Sequence, residues 1–311
     1  MYNFRTDLAD ERRDIYNKAN NIEKDIEGIV TDEEQINEKI KVTRVKITNE
    51  DAEQALGKPK GNYITIDIKK MNIITDEEME KASDTLATEI KKLVENQIQS
   101  KDDILVVGLG NSEVTPDALG PEVVKNLEIT RHIINYLPQY IDENARPVSA
   151  IAPGVLGTTG IETVEIIKGV VDNIKPKLLI VIDALASRSI ERISSTIQIS
   201  DTGIAPGAGV GNKRKEITQN SLGIPVIAIG IPTVVDLATI TDDCLELFIS
   251  KLQEEAKSND YLNELKSKDN YEEIREALIP NDFNMVVTPK EIDGLIDNMK
   301  NIVARGINFA V

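Results

Sequence analysis

Residues 103–121, DILVVGLGNSEVTPDALGP, restrict the fold of this 311-residue chain more than any other stretch. Ile104 to Val107 is a short, wholly apolar run, the pattern of a strand covered on both faces. It breaks at Gly108-Leu109-Gly110-Asn111, where glycine permits backbone angles and close approaches that a Cβ would forbid. Thr115-Pro116 then offers an N-cap and a first-turn proline for a following helix. Asp117 therefore falls on the turn leaving a buried strand, and open α/β sheets place their sites at the carboxyl ends of strands.

Residues 178–182, LLIVI, repeat the pattern and end directly on Asp183. Two acids, each closing a core strand, are expected to face one another across one crevice. A close pair of this kind shares one proton, so that one acid donates while its partner polarises water against a carbonyl. Taken singly, each has a plain structural reading: Asp117 as a helix-terminal acid favoured by the dipole, Asp183 as a solvated carboxylate. Their joint placement after two separate core strands favours function.

The rest of the chain supports an α/β architecture. Strand patterns at 147–152, 195–199 and 224–229 alternate with helical patterns after Pro116 and over 161–171. That alternation predicts a mostly parallel sheet flanked by helices. Upstream, 42–47 and 63–68 read as half-exposed strands joined across the turn signal at 57–61. Thr75 with Glu78 forms a capping box for a helix to about Gln97, with Met79, Leu86, Ile90 and Leu93 along its apolar stripe. Residues 1–40 are highly charged and read as a solvated helix or mobile arm. Beyond Thr241 the pattern turns helical, to 257 and again from Thr288 to about Ala304, around a polar segment at 257–276. No linker divides the chain, so one domain is expected over 1–311, with an arm at 1–40, a core at 103–236 and a helical part at 241–311.

Charge and rare residues narrow the chemistry. A formal net charge of −17 argues against nucleic-acid or anionic-membrane partners, which require a basic face. No apolar run reaches the length of a membrane span, and the single cysteine, Cys244, suits a reducing cytoplasm. Asp242, Asp243 and Glu246 around it would raise a thiol pKa rather than activate it. His132 is the only histidine, which removes histidine triads and multi-histidine metal sites. Carboxylates are what remains for acid–base work.

Three motifs carry less. The Gly108–Asn111 turn lacks the third glycine of a dinucleotide fingerprint, with Glu113 in its place. Asp201-Thr202-Gly203 matches the signature of pepsin-like proteases, but that architecture is all-β and the alternation here contradicts it. The surrounding Gly/Pro loop at 201–212 is instead expected to border the cleft. His132 and the basic run at 213–215 read as surface patches.

Across nearly its whole length the sequence resembles the germination protease family of endospore-forming bacteria. The matching segments are FRTDLADE (4–11), GLGN (108–111), TPDALGP (115–121), APGVLGTTGIET (152–163), VIDALASRS (181–189), TIQISDTGIAPGAGVGNKR (196–214), GIPTVVD (230–236) and VTPKEID (287–293). The resemblance implies an endopeptidase of atypical aspartic type that degrades small acid-soluble spore proteins in the spore core, made as a zymogen and assembled as a homotetramer. It places the catalytic acids on Asp117 and Asp183. It also implies a fold like that of hydrogenase maturation proteases, which carry a related G-x-G-N turn followed by an acid. Those relatives hold nickel with a further histidine; none follows Asp183, so neither metal nor cofactor is expected. The family's propeptide precedes the RTDLA-like segment, and only Met1 to Phe4 precede Arg5 here. The propeptide is then very short, or processed further inside, or the start is truncated. Two other readings stay open: a metal-dependent peptidase of hydrogenase-maturation type, and a non-enzymatic protein that holds peptides in a loop-rich cleft.

Overall fold

The structure is a computed structural model that describes residues 6–22, 25–207, 214–255 and 285–311. In chain order its strands are β1 (Ile29–Gln35), β2 (Ile40–Ile47), β3 (Gly61–Ile68), β4 (Ile104–Gly108), β5 (Val148–Ile151), β6 (Leu178–Ser187), β7 (Thr196–Ser200), β8 (Val226–Asp236) and β9 (Val286–Val287). They form one sheet in the order β1-β2-β3-β7-β8-β6-β4-β5, with β9 added on β8.

The central strands are apolar throughout because both faces are covered. Successive side chains of a strand point to opposite faces. Ile104 and Val106 of β4, with Leu178, Ile180 and Ile182 of β6, therefore enter one core. Leu105, Val107, Leu179 and Val181 enter the other. On the first face the helices Asp76–Gln97 and Ile292–Ala310 supply Leu86, Ile90, Met299 and Ile302. On the second, the helix Thr163–Ile174 supplies Ile167 and Val171. Each such aliphatic side chain, fully withdrawn from water, contributes roughly 1.5–3 kcal/mol. Gly306 lets the two helices on the first face approach, since a Cβ there would collide with Leu86. The Thr75–Glu78 capping box is present, with Glu78 Oε2 accepting from Thr75 N at 2.9 Å.

Parallel pairing is confined to β5-β4-β6-β8. Every other pairing, β1-β2, β2-β3, β3-β7, β7-β8 and β8-β9, is antiparallel. The sheet is thus mixed: the expected parallel arrangement holds for the four strands that carry the acid pair, and the outer half departs from it. β3 reaches β7 across more than a hundred residues, and short-range alternation carries no record of so distant a partner.

Residues 6–11 of the charged N-terminal stretch are not a solvated arm. Thr6, Asp7, Leu8, Ala9, Asp10 and Glu11 are all buried, and the helix Ala9–Ala19 follows directly. Asp7 N donates to Ala186 O at 3.0 Å, and Asp7 Oδ2 accepts from Ala186 N at 3.1 Å, seating this residue on β6. Glu11 accepts from Arg188 N at 2.9 Å and Ser189 N at 3.2 Å, and Arg192 pairs with Asp10 at 2.7 Å. The helix expected from Thr241 starts at Leu237, and the last helix runs to Ala310. Residues 1–4, 208–213 and the polar segment 257–276 lie outside the described residues. Among the described residues no helix is long and apolar enough to cross a membrane.

Candidate active site

Asp117 is placed by a turn that only glycine accommodates. Gly110 has φ +115°, a left-handed value that costs an L side chain dearly, and a Cβ there would strike the Asp117 carbonyl oxygen. Gly108 lets the helix Leu119–Val124 approach β4, because a Cβ would meet Gly120 O. Asn111 N donates to both Asp117 Oδ2, at 2.9 Å, and Asp117 O, at 3.1 Å, so the loop closes on the acid from both ends. Thr115 is not an N-cap as expected: Thr115–Asp117 is itself a 3-10 turn, with Val114 ahead of it and no side-chain cap.

Asp183 does not close its strand. β6 continues through Asp183 to Ser187, because Asp183 pairs with Gly230 and Ala184 with Ile231 on β8. The acid lies instead where β4 ends, one residue past the Gly108–Ile182 pair. There β6 emerges from between two strands, so its next side chain borders open space while its backbone stays paired. Asp183 Oδ1 accepts from Ala184 N at 3.0 Å.

Both acids line one cavity of about 600 Å³, with Gly110, Leu156, Thr163 and Thr233 among its walls. Burial raises the pKa of Asp117, offset in part by the Asn111 amide. Asp183, 5 % exposed, is raised much further, first by desolvation and then by the charges of Asp117 and Asp7. These are the conditions under which a carboxyl group keeps its proton near neutrality.

Asp7 is the cavity residue that sequence reasoning missed. Its only local signal was Leu8-Ala9, two apolar residues inside a charged run, and its site partner on β6 is 179 residues away. Of the turn's amides, Leu109 N donates to Ile182 O at 2.8 Å and Asn111 N to Asp117. Gly110 N, at the cavity wall, donates to no acceptor among the described residues. Asp201 of the D-T-G match ties β3 to β7 by accepting from Asn62 N at 2.8 Å and Asn62 Nδ2 at 2.6 Å, and it does not line the cavity. Pro206 and Gly207 of its loop do border the cleft, as do Arg214 and Lys215, the latter paired with Glu165 at 2.9 Å. His132 is exposed on the short helix Arg131–Tyr136 and Cys244 is exposed, and neither lines the cavity. No cluster of three or more His, Cys, Asp or Glu side chains suited to a metal ion occurs among the described residues.

The α/β sheet thus brings two carboxylates to one open cleft, Asp117 from the turn after β4 and Asp183 from the adjacent parallel strand β6. The chain belongs to the germination protease family, whose model matches residues 6–266 and 260–311. It is 49% identical over 315 residues to the germination protease of Clostridium perfringens (strain ATCC 13124), covering 100% of this chain and 96% of that one. To that of Caldanaerobacter subterraneus subsp. tengcongensis it is 50% identical over 311 residues, covering 99% and 94%. To that of Bacillus subtilis (strain 168) it is 42% identical over 347 residues, covering 100% and 94%. Among solved structures it matches the [NiFe] hydrogenase maturation protease HycI from Thermococcus kodakarensis KOD1, at TM-score 0.29 and 18% identity, over 45% of this chain and 80% of that one. So slight a likeness carries nothing further; the fold assignment rests on the strand order itself.

Proposed function

We propose that this member of the germination protease family is an endopeptidase of aspartic type, with Asp117 and Asp183 acting on a water molecule between them. The observation that carries this reading is the unequal burial of two acids at one cavity. Asp183, the more deeply buried, holds the shared proton and donates it toward the scissile carbonyl. Asp117, half-buried and steadied by the Asn111 amide, is ionised and draws the proton from water. The attacking oxygen adds to the carbonyl carbon, with the amide N–H of Gly110 available to the carbonyl oxygen as charge develops on it. The C–N bond then breaks as Asp117 passes the proton taken from water to the leaving amine nitrogen, and Asp183 recovers its proton as the carbonyl re-forms. The substrate is an extended segment of a small acid-soluble spore protein, cut in the spore core. Latency as a zymogen and assembly as a homotetramer belong to the same proposal and rest on family resemblance.

A chelation experiment separates this mechanism from a metal-dependent peptidase. The purified chain is incubated with a small acid-soluble spore protein before and after exhaustive chelation, and fragments are identified by mass spectrometry. Discrete cleavage that survives chelation is expected. Loss of cleavage on chelation, with recovery on adding a divalent metal, would sink the two-carboxylate mechanism.

A further inference from the structure

β6 outruns β4: its last pair with β4 is Ile182 with Gly108, and it continues to Ser187. In a parallel sheet the N–H and C=O of one residue point to the same neighbouring strand, and successive residues alternate between neighbours. Leu179 N donates to Pro225 O at 3.0 Å, so the odd-numbered residues of β6 face β8. The even-numbered ones face β4, as Leu109 N donating to Ile182 O at 2.8 Å shows. Beyond that bond, the same side of β6 presents Ala184 and then Ala186. Ala186 is taken: Asp7 N donates to its carbonyl at 3.0 Å, and Asp7 Oδ2 accepts from its amide at 3.1 Å. Ala184 N donates to Asp183 Oδ1 at 3.0 Å. Ala184 O accepts from no donor among the described residues.

The place that a longer β4 would fill is therefore open, and it lies in the cavity of the acid pair. Leu109 and Gly110 line that cavity beside the end of β4, Asp7 lines it further along, and Asp183 to Ala186 form the wall between them. From Ile182 to Ala186 the opening measures about 13 Å at the usual rise of a strand. Three or four residues of extended chain fit that length. Ala184 is half-buried, and its methyl group leaves the approach clear. An unpaired backbone carbonyl on a strand is a template for a further strand, which satisfies it whatever side chains that strand carries. Asp183 and Ala184 are consecutive, so a chain held at Ala184 O passes the acid pair within about two residues.

We infer that the substrate binds as an added strand in this opening, with a backbone N–H within two residues of the scissile bond donating to Ala184 O. The inference rests on the endopeptidase reading above. Ala184 contributes its backbone alone. It holds the chain in register with Asp117 and Asp183 and takes no part in proton transfer.

Two measurements test it, one of which needs no cleavage. In the first, a peptide from a small acid-soluble spore protein is made in versions that each replace one backbone amide near the cut by an ester. The ester keeps the shape and removes the N–H. One replacement within two residues of the scissile bond should lower kcat/KM about tenfold, as the loss of one hydrogen bond would. A second form of the full chain carries the α-hydroxy analogue of leucine in place of Leu185, which turns the Ala184 carbonyl into that of an ester, a poorer acceptor. The N–H lost from Leu185 faces β8 and not the opening. This form should cut the all-amide peptide about tenfold more slowly, with no further loss on the sensitive ester peptide. The absence of a sensitive position within two residues would overturn the inference, as would undiminished discrimination by the altered chain. Should that chain fail to fold, the peptide series can still overturn it. In the second, fluorescence anisotropy compares binding of the all-amide and ester peptides to the Asp117→Asn variant. The same replacement should weaken binding about tenfold, and equal affinity would also overturn the inference. A preference for the amide peptide in a protein whose parent cuts nothing would leave the added strand standing and refute the protease reading instead.

Discussion

Asp183→Asn should make the protein more stable while sharply lowering its activity, and the gain should depend on pH. Asp183 is buried beside Asp117 and Asp7, and its folded pKa stands well above its unfolded value of about 3.9. Below that unfolded value the carboxyl is protonated in both states and costs nothing. As pH rises from about 4 toward the raised folded pKa, the unfolded chain gives up the proton and the folded chain keeps it. Stability is lost across that window and levels off above it. Each tenfold difference in proton affinity between the two states is worth about 1.4 kcal/mol, which for a chain of this size is about 2–3 °C in Tm. Asparagine keeps the acceptor for Ala184 N, removes the charge and preserves the shape. Thermal unfolding of both proteins from pH 4 to pH 8 should give coincident Tm values at the acid end and a widening advantage for the variant above it. Removing an acid–base group should cut cleavage about 10²- to 10⁴-fold. A variant less stable than the parent at pH 8, with no pH-dependent difference, would refute the argument, because Asp183 would then be an ionised group stabilised by its surroundings.

Gly110→Ala should lose roughly 1–3 kcal/mol from the left-handed backbone alone, and more from the collision with Asp117 O. Since a displacement of about 1 Å at a reacting group can cost 10²-fold, cleavage should fall further than urea unfolding accounts for. Arg192→Ala should be destabilising by about 3–5 kcal/mol at pH 7.5, because Asp10, Glu11 and Asp67 all face that one guanidinium, at 2.7, 3.6 and 3.6 Å. The deficit should shrink on acidification, as Glu11 and Asp67, both raised by burial, take up protons. Urea denaturation at pH 7.5 and pH 4.5 measures it.

How far the sequence discloses this molecule depends on the range of each interaction. β4 and the first half of β6 are legible because two-sided burial leaves an unbroken apolar run. The helix Asp76–Gln97 is legible because Thr75 and Glu78 cap it locally. The continuation of β6 past Asp183 is not: Ala184 and Ala186 have little strand preference, and only their pairing with Ile231 and Val234 on β8 holds them extended. Asp117 and Asp183 emerge as a pair because each comes after an unbroken apolar run, and β4 and β6 prove to be neighbours. Asp7 stays hidden because a charged N-terminal segment reads as solvated until its long-range partners Ala186, Arg188 and Arg192 are known.

The most direct test of the central claim compares the parent chain with Asp117→Asn on a small acid-soluble spore protein, with fragments read by mass spectrometry and folding verified by matched thermal unfolding. The account predicts discrete fragments from the parent alone. Equal fragmentation by a folded Asp117→Asn variant would contradict it and move catalysis away from the acid pair.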